Sequence, residues 1–170
     1  ALQGVDLSSL QTGLDNIRGV ICCPLAGLTA AELFDASPAG FEYADRFLNN
    51  KEFSNLPRKF NVTITGCLEN CSHSETQDLG MTPAVHRSDG GPGFNAMVGG
   101  KMGSGGMTVA QPLDVFVEPS EAARLAAKIT LLFRDEGSRE QRTKNRLAFL
   151  IRDWGIDRFR SCLEQRWGPP

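Results

Sequence analysis

The chain of 170 residues has no apolar run near the ~20 residues that a membrane span requires, so no transmembrane segment is expected. A basic leader followed by an apolar stretch is also missing, which predicts no secretory signal. Nor are there blocks of like charge. The formal net charge is −2 with acidic and basic residues interleaved, which argues against a nucleic-acid platform and gives no membrane-surface signal. An even cysteine framework is absent too. The five cysteines, Cys22, Cys23, Cys67, Cys71 and Cys162, fit reduced thiols or metal ligands better than a set of disulfides, and a reducing, cytoplasmic setting is expected.

What remains is a globular composition, 41% apolar and 22% charged, in a chain long enough for one domain with its own core. Residues 1–170 are read as a single unit. Leu7, Leu10, Leu14 and Ile17 recur at helical steps and predict a helix ending near Arg18, followed by a short buried strand or extended turn from Gly19 to Cys23. Thr29 with Glu32 is a capping-box pattern that predicts a helix through Leu33 and Phe34, broken at Ser37-Pro38. A second helical stretch runs from Phe41 to Leu48 and closes at Asn49-Asn50-Lys51.

Lys59 to Thr65 alternates polar and apolar, the period of a strand, so Lys59 and Asn61 point the same way roughly 7 Å apart. Met81 to His86 and Phe94 to Val98 read as a hairpin around Asp89-Gly90-Gly91-Pro92-Gly93, and Val115 to Val117 as a last strand. Ser120 is read as the cap of a helix that Gly137 stops. Ser138 with Gln141 makes a second capping box, leading through Leu147, Leu150, Ile151 and Trp154 to Gly155, and a final helix turns Phe159, Leu163 and Trp167 inward. Helices after a strand-rich middle, without βαβ regularity, predict an α+β domain with a mixed β-sheet flanked by helices.

Three groups carry potential chemistry. In Arg58-Lys59-Phe60-Asn61 an ammonium and a carboxamide sit side by side on one strand face, beside a guanidinium, and together they suit a small anion. On spacing alone the same cluster also reads as a solvated edge strand. Cys67 and Cys71, spaced C-x3-C, can offer two sulfurs to one metal; with Cys22 or Cys23 they would make a small iron–sulfur electron-transfer protein, and otherwise they are buried residues of tight turns. The five glycines between residues 99 and 106 could cradle an anion through backbone N–H groups, but without the Lys-Ser/Thr ending of a P-loop they read as a flexible loop that lets something flat approach. His73 and His86 read as ordinary histidines, and the arginines of the C-terminal helices, Arg146 among them, as a solvated face.

The order of several runs resembles the siroheme-dependent nitrite and sulfite reductase family, specifically its first siroheme-domain half. They are Leu10-Gln11-Thr12-Gly13-Leu14-Asp15-Asn16-Ile17-Arg18, Pro24-Leu25-Ala26-Gly27-Leu28, Asn55-Leu56-Pro57-Arg58-Lys59-Phe60-Asn61, Val98-Gly99-Gly100, Pro112-Leu113-Asp114 and Trp154-Gly155-Ile156-Asp157-Arg158-Phe159. The resemblance implies one pseudo-symmetric half of an enzyme that reduces nitrite to ammonia, or sulfite to sulfide, with six electrons. It implies catalytic roles for Arg18, Lys59 and Asn61, with Arg58, Gly99 and Gly100 at the macrocycle. Siroheme and a [4Fe-4S] cluster belong to the complete enzyme, and the implied partners are a cluster-carrying half, ferredoxin or a similar donor, and nitrite.

Within the resemblance, sulfite reductases carry a second lysine where this chain has Asn61, so Asn61 favours nitrite. The family's C-x5-C is missing here, and Cys67 with Cys71 matches its C-x3-C as a vestige of duplication, with no metal assigned to this chain. Turnover by this chain alone is not expected.

Overall fold

The computed structural model describes residue 4, residues 11–103 and residues 106–167. Strands β1 (Ile17–Cys22), β2 (Phe60–Ile64), β3 (Leu79–Val85), β4 (Pro92–Val98) and β5 (Gln111–Val117) form one sheet in that spatial order. The first three strands are parallel and the last three antiparallel, so the sheet is mixed as expected. Helices α1 (Ser37–Phe47), α2 (Ala122–Glu136), α3 (Leu147–Trp154) and α4 (Ile156–Trp167) complete the α+β domain.

The alternation in β2 places Phe60, Val62 and Ile64 in the core with no exposed surface, packed with Leu79, Met81, Phe94 and Val98 of the neighbouring strands. Against that layer α2 presents Ala122, Ala126, Ile129 and Phe133, all fully buried; small residues near its start let the helix approach closely, and large ones fill the far end. Phe60 and Phe133 meet at 6.0 Å between ring centroids. Gly155, at φ +78, ends α3 and lets the chain turn at once into α4, a backbone conformation that L side chains resist. Phe159 and Leu163 then bury in the core, as their spacing predicts.

Four local expectations in the first third of the chain are corrected. The helical period of Leu7 to Ile17 does not produce a helix over residues 11–18. Leu14 is exposed with φ 64, and Ile17 and Arg18 open β1, where pairing of Ile17 with Phe60 outweighs local preference; residues 5–10 lie outside the described residues. The strand that follows is an edge strand with alternating burial rather than a wholly buried one. Thr29 and Glu32 do not cap a helix, because the Glu32 carboxylate takes the Gly27 N–H at 2.6 Å and Glu32 forms a bridge with Cys67. Ser37-Pro38 opens α1 instead of breaking it, since proline at the first helical turn gives up no needed hydrogen bond.

At the C-terminal end, Ser120 belongs to a 3-10 turn and donates no cap to α2. Ser138 and Gln141 precede a 3-10 turn over Arg142–Lys144, and α3 starts only after Arg146.

Candidate anion site

The strand β2 begins with Lys59 and Arg58 immediately before it, and Pro57 is buried in the turn that sends them outward. On one side β1 runs parallel and brings Arg18 near Lys59. On the other, the turn before α3 carries Arg142, Thr143 and Arg146 back to the same place. Arg58, Lys59, Met102, Gly103, Arg142, Thr143 and Arg146 line a cleft of ≈ 340 Å³. Cations from two separated segments, residues 58–59 and 142–146, thus converge on one concavity.

Two carboxylates organise them. Asp15 accepts Arg58 Nη1 at 2.9 Å and both Nη atoms of Arg142, at 2.6 and 3.3 Å. Burial alone would raise Asp15; hydrogen bonds from Arg142 and then Arg58 take it below the usual carboxylate range. Asp78, just before β3, is wholly buried. Its Oδ1 accepts Arg146 Nε at 3.0 Å, and its Oδ2 accepts Arg146 Nη2 at 2.6 Å and the Asn61 N–H at 2.8 Å. Burial pushes Asp78 up, opposed by the Arg146 guanidinium and the Asn61 N–H. Three donors aimed at its two oxygens are those of a carboxylate acceptor.

Partial desolvation lowers Lys59 from its usual value, and so do the positive charges of Arg146, Arg18 and Arg58, against the pull of Asp78. Such an ammonium is a better proton donor than an exposed lysine. Arg18 Nη2 donates to the Leu14 carbonyl at 3.1 Å, while its Nε is buried with no hydrogen-bond partner among the described residues. The Tyr43 hydroxyl holds the Arg18 carbonyl at 3.4 Å.

Of the residues expected from sequence, Arg58 and Lys59 therefore line the cleft; Arg18 flanks Lys59 outside the lining, and Asn61 is also outside it, its N–H held by the Asp78 carboxylate that binds Arg146. Gly99 and Gly100 are buried rather than part of a flexible loop. The Gly99 N–H is committed to the Asp78 carbonyl at 2.9 Å, and a Cβ on Gly99 would meet Ile151. On Gly100 it would meet the Glu75 and Gln77 backbone, so packing explains why both are glycine. Beyond them Lys101 pairs with Thr108 in an isolated bridge, its Nζ donates to the Gly106 carbonyl, and Met102 stands exposed at the cleft.

Sequence reasoning missed Arg142 and Arg146 by assigning the arginines of the C-terminal helices to solvent. Arg142 is exposed, but Arg146 is buried, and the only local hint is its place beside a break in helical periodicity. Cys67 is buried with its N–H on Thr65 Oγ1, and Cys71 is exposed. Among the described residues no three His, Cys, Asp or Glu side chains gather as a metal ion would need. His73 and His86 are surface residues paired with Glu75 and Asp89.

A mixed α+β sheet whose opening carries a cationic, partly desolvated cleft has the chemistry to receive an anion. The chain belongs to the nitrite and sulphite reductase 4Fe-4S domain family, whose model matches residues 13–170. It is 44% identical to a ferredoxin–nitrite reductase of Synechococcus elongatus over 99% of this chain and 34% of that protein. With a ferredoxin sulfite reductase of Mycolicibacterium paratuberculosis it shares 42% identity over 98% of this chain and 29% of that protein. The solved structure of the Mycobacterium tuberculosis NirA protein superposes with a TM-score of 0.90 at 35% identity, covering 99% of this chain and 32% of that one. The chain thus spans about a third of the length of the relatives it matches. Membership implies siroheme and a [4Fe-4S] cluster in the complete enzyme.

The donor set here fits siroheme's fringe of carboxylates and an anionic substrate: Arg58, Lys59, Arg142 and Arg146 line the cleft, and the buried Arg18 Nε lacks a partner among the described residues. For a cluster, by contrast, the chain's thiols form no gathered ligand set among the described residues.

Proposed function

We propose that this chain is the siroheme-binding half of an assimilatory nitrite reductase, which takes electrons from ferredoxin or a similar donor and works in the cytoplasm. The observation that carries the reading is the convergence of Arg58, Lys59, Arg142 and Arg146 on one cleft in a member of this family. Bound siroheme and the cluster would supply the electrons for the six-electron reduction.

The chain's own residues bind and protonate. Arg18 and Lys59 hold the oxyanion by charge, and their fixed donors need not reorganise as the anion reacts. Lys59, its ammonium held below the usual lysine range by partial burial, delivers protons to the oxygen that leaves as water. Arg58, together with Arg142, would hold the carboxylates of the macrocycle through hydrogen bonds of the kind each now makes to Asp15. Asn61 offers a neutral amide where a second ammonium would favour a more highly charged anion, and this supports nitrite over sulfite. The cluster-carrying half lies in the remainder of the enzyme, so the isolated chain is inactive.

Expression of the complete coding sequence that contains this chain tests the reading. It should give a protein with siroheme absorbance that reduces nitrite to ammonia with reduced ferredoxin, while the isolated chain does not. A complete protein with neither siroheme nor nitrite reduction would falsify the proposal.

A further inference from the structure

We propose that Asp78 is a positioning residue of this site: its buried carboxylate clamps Arg146 to the Asn61 backbone and fixes where the cleft's cations meet a bound anion. The inference rests on the anion-binding reading above and specifies what holds that site in shape.

Stability alone does not account for Asp78. A carboxylate with a wholly buried side chain is costly to desolvate, and apolar residues of similar volume commonly do as well or better than a buried ion pair. What apolar residues cannot supply is direction. Asp78 takes both Nε and Nη2 of Arg146, which leaves Nη1 as the only guanidinium nitrogen outside the clamp and fixes the plane of the group. The same Oδ2 that holds Nη2 also holds the Asn61 N–H, so Arg146 and the substrate-facing end of β2 share one acceptor. The Asp78 carbonyl, in turn, takes the Gly99 N–H. A single residue thereby ties together the cleft arginine, the Lys59-Phe60-Asn61 segment and the glycine pair, which lie far apart in sequence.

Charge points the same way. Lys59 faces Arg58 from the residue before it, Arg18 from β1, Arg142 across the cleft and Arg146 from the turn before α3; Asp15 is paired with Arg58 and Arg142, and Asp78 is the carboxylate whose charge offsets the cations at Lys59. Lys101, buried at 2% exposure, is lowered from its usual value by burial and then by Arg146, with Asp78 pulling the other way. Neutralising Asp78 therefore both frees the Arg146 guanidinium and makes the Lys59 ammonium easier to deprotonate.

The test uses the complete reductase carrying Asp78→Asn or Asp78→Glu. Asparagine keeps an acceptor for the Asn61 N–H and removes the charge; glutamate keeps the charge and displaces it by one methylene. In Asp78→Asn the KM for nitrite should rise roughly 10- to 100-fold, as for loss of a charged hydrogen bond, with a smaller fall in kcat. The alkaline limb of kcat/KM should move to lower pH. In Asp78→Glu the limb should return to its wild-type position while KM stays raised.

A second readout needs no turnover: the rise in melting temperature that inorganic phosphate gives the wild-type protein should shrink in both variants. Wild-type KM and phosphate response in Asp78→Asn overturn the proposal, as does a loss of kcat and siroheme with KM and the pH limb unchanged, which marks a purely structural role. If Asp78→Asn does not fold, Asp78→Glu decides alone, and a wild-type KM there overturns the proposal. Failure of the nitrite reductase reading shows separately, as absence of nitrite reduction in the wild-type protein, and leaves the phosphate comparison valid.

Discussion

The Arg146 guanidinium meets both oxygens of Asp78, with Nε at 3.0 Å and Nη2 at 2.6 Å, across 68 residues of sequence. Because the carboxylate has no exposed side-chain surface, removing only one partner strands a charge in the core. Arg146→Met should cost about 3–5 kcal/mol of unfolding free energy. Combining it with Asp78→Asn should recover a substantial part, since both charges then leave together. Denaturant unfolding of the complete protein reads both values; simple additivity of the two single losses would show that the pair is not coupled.

Substrate choice is predicted to turn on Asn61. Its residue sits one strand step from Lys59 on the same face, and Asn61→Lys would add a second ammonium there. Two like charges a few ångströms apart favour a dianion by roughly 1–4 kcal/mol per added charge pair. Sulfite should therefore gain on nitrite by about tenfold or more in kcat/KM. Competition assays with both anions on the complete enzyme measure the ratio, and an unchanged ratio removes Asn61 from specificity.

Acid sensitivity has a specific source in Asp15. Its folded pKa lies below the ordinary 3.8, so the folded state binds fewer protons than the unfolded chain in that range. The stabilisation is full above pH ~3.8 and is lost as pH falls through the depressed value. Asp15→Asn should cost about 1 kcal/mol or less at neutral pH, because the pair is partly solvated. It should also flatten the acid limb of a melting-temperature profile below pH 4, roughly where the wild-type contribution fades. A limb as steep as wild type would assign the acid transition to other carboxylates.

Gly66 is predicted to tolerate no side chain. A Cβ there would collide with the Phe34 backbone carbonyl and approach the Ala36 Cβ at 3.4 Å. The same stretch is locked by the Leu33 N–H on the Gly66 carbonyl at 2.9 Å. Gly66→Ala should destabilise the protein by about 3 kcal/mol or more, the upper range for overpacking. Thermal melts check it, and a loss under about 1 kcal/mol would mean that the 31–36 loop moves aside readily.

Much of the fold was legible because its signals are local. The alternation of Lys59 to Thr65, the Asp89 to Gly93 turn and the stop at Gly155 each depend on a few neighbouring residues, and β2, the β3–β4 hairpin and the α3–α4 break follow. Signals failed where a distant partner prevailed. Ile17 left its helical period to pair with Phe60, and Glu32 gave up its capping-box role for the Gly27 N–H. Nothing near Gln77-Asp78-Leu79, and near Lys144-Asn145-Arg146 only the break in helical periodicity, distinguishes a buried ion pair from ordinary surface polarity.

The amino-acid order by itself determined the mixed α+β character and put Arg58, Lys59 and Asn61 at the start of one strand, because strand alternation is a property of adjacent residues. Only the tertiary structure decided that Arg142 and Arg146 share their cleft and that Asp78 lies beneath it. Burial and ion pairing depend on which segments meet across the core, and for these residues the meeting partners are 68 and 127 positions away.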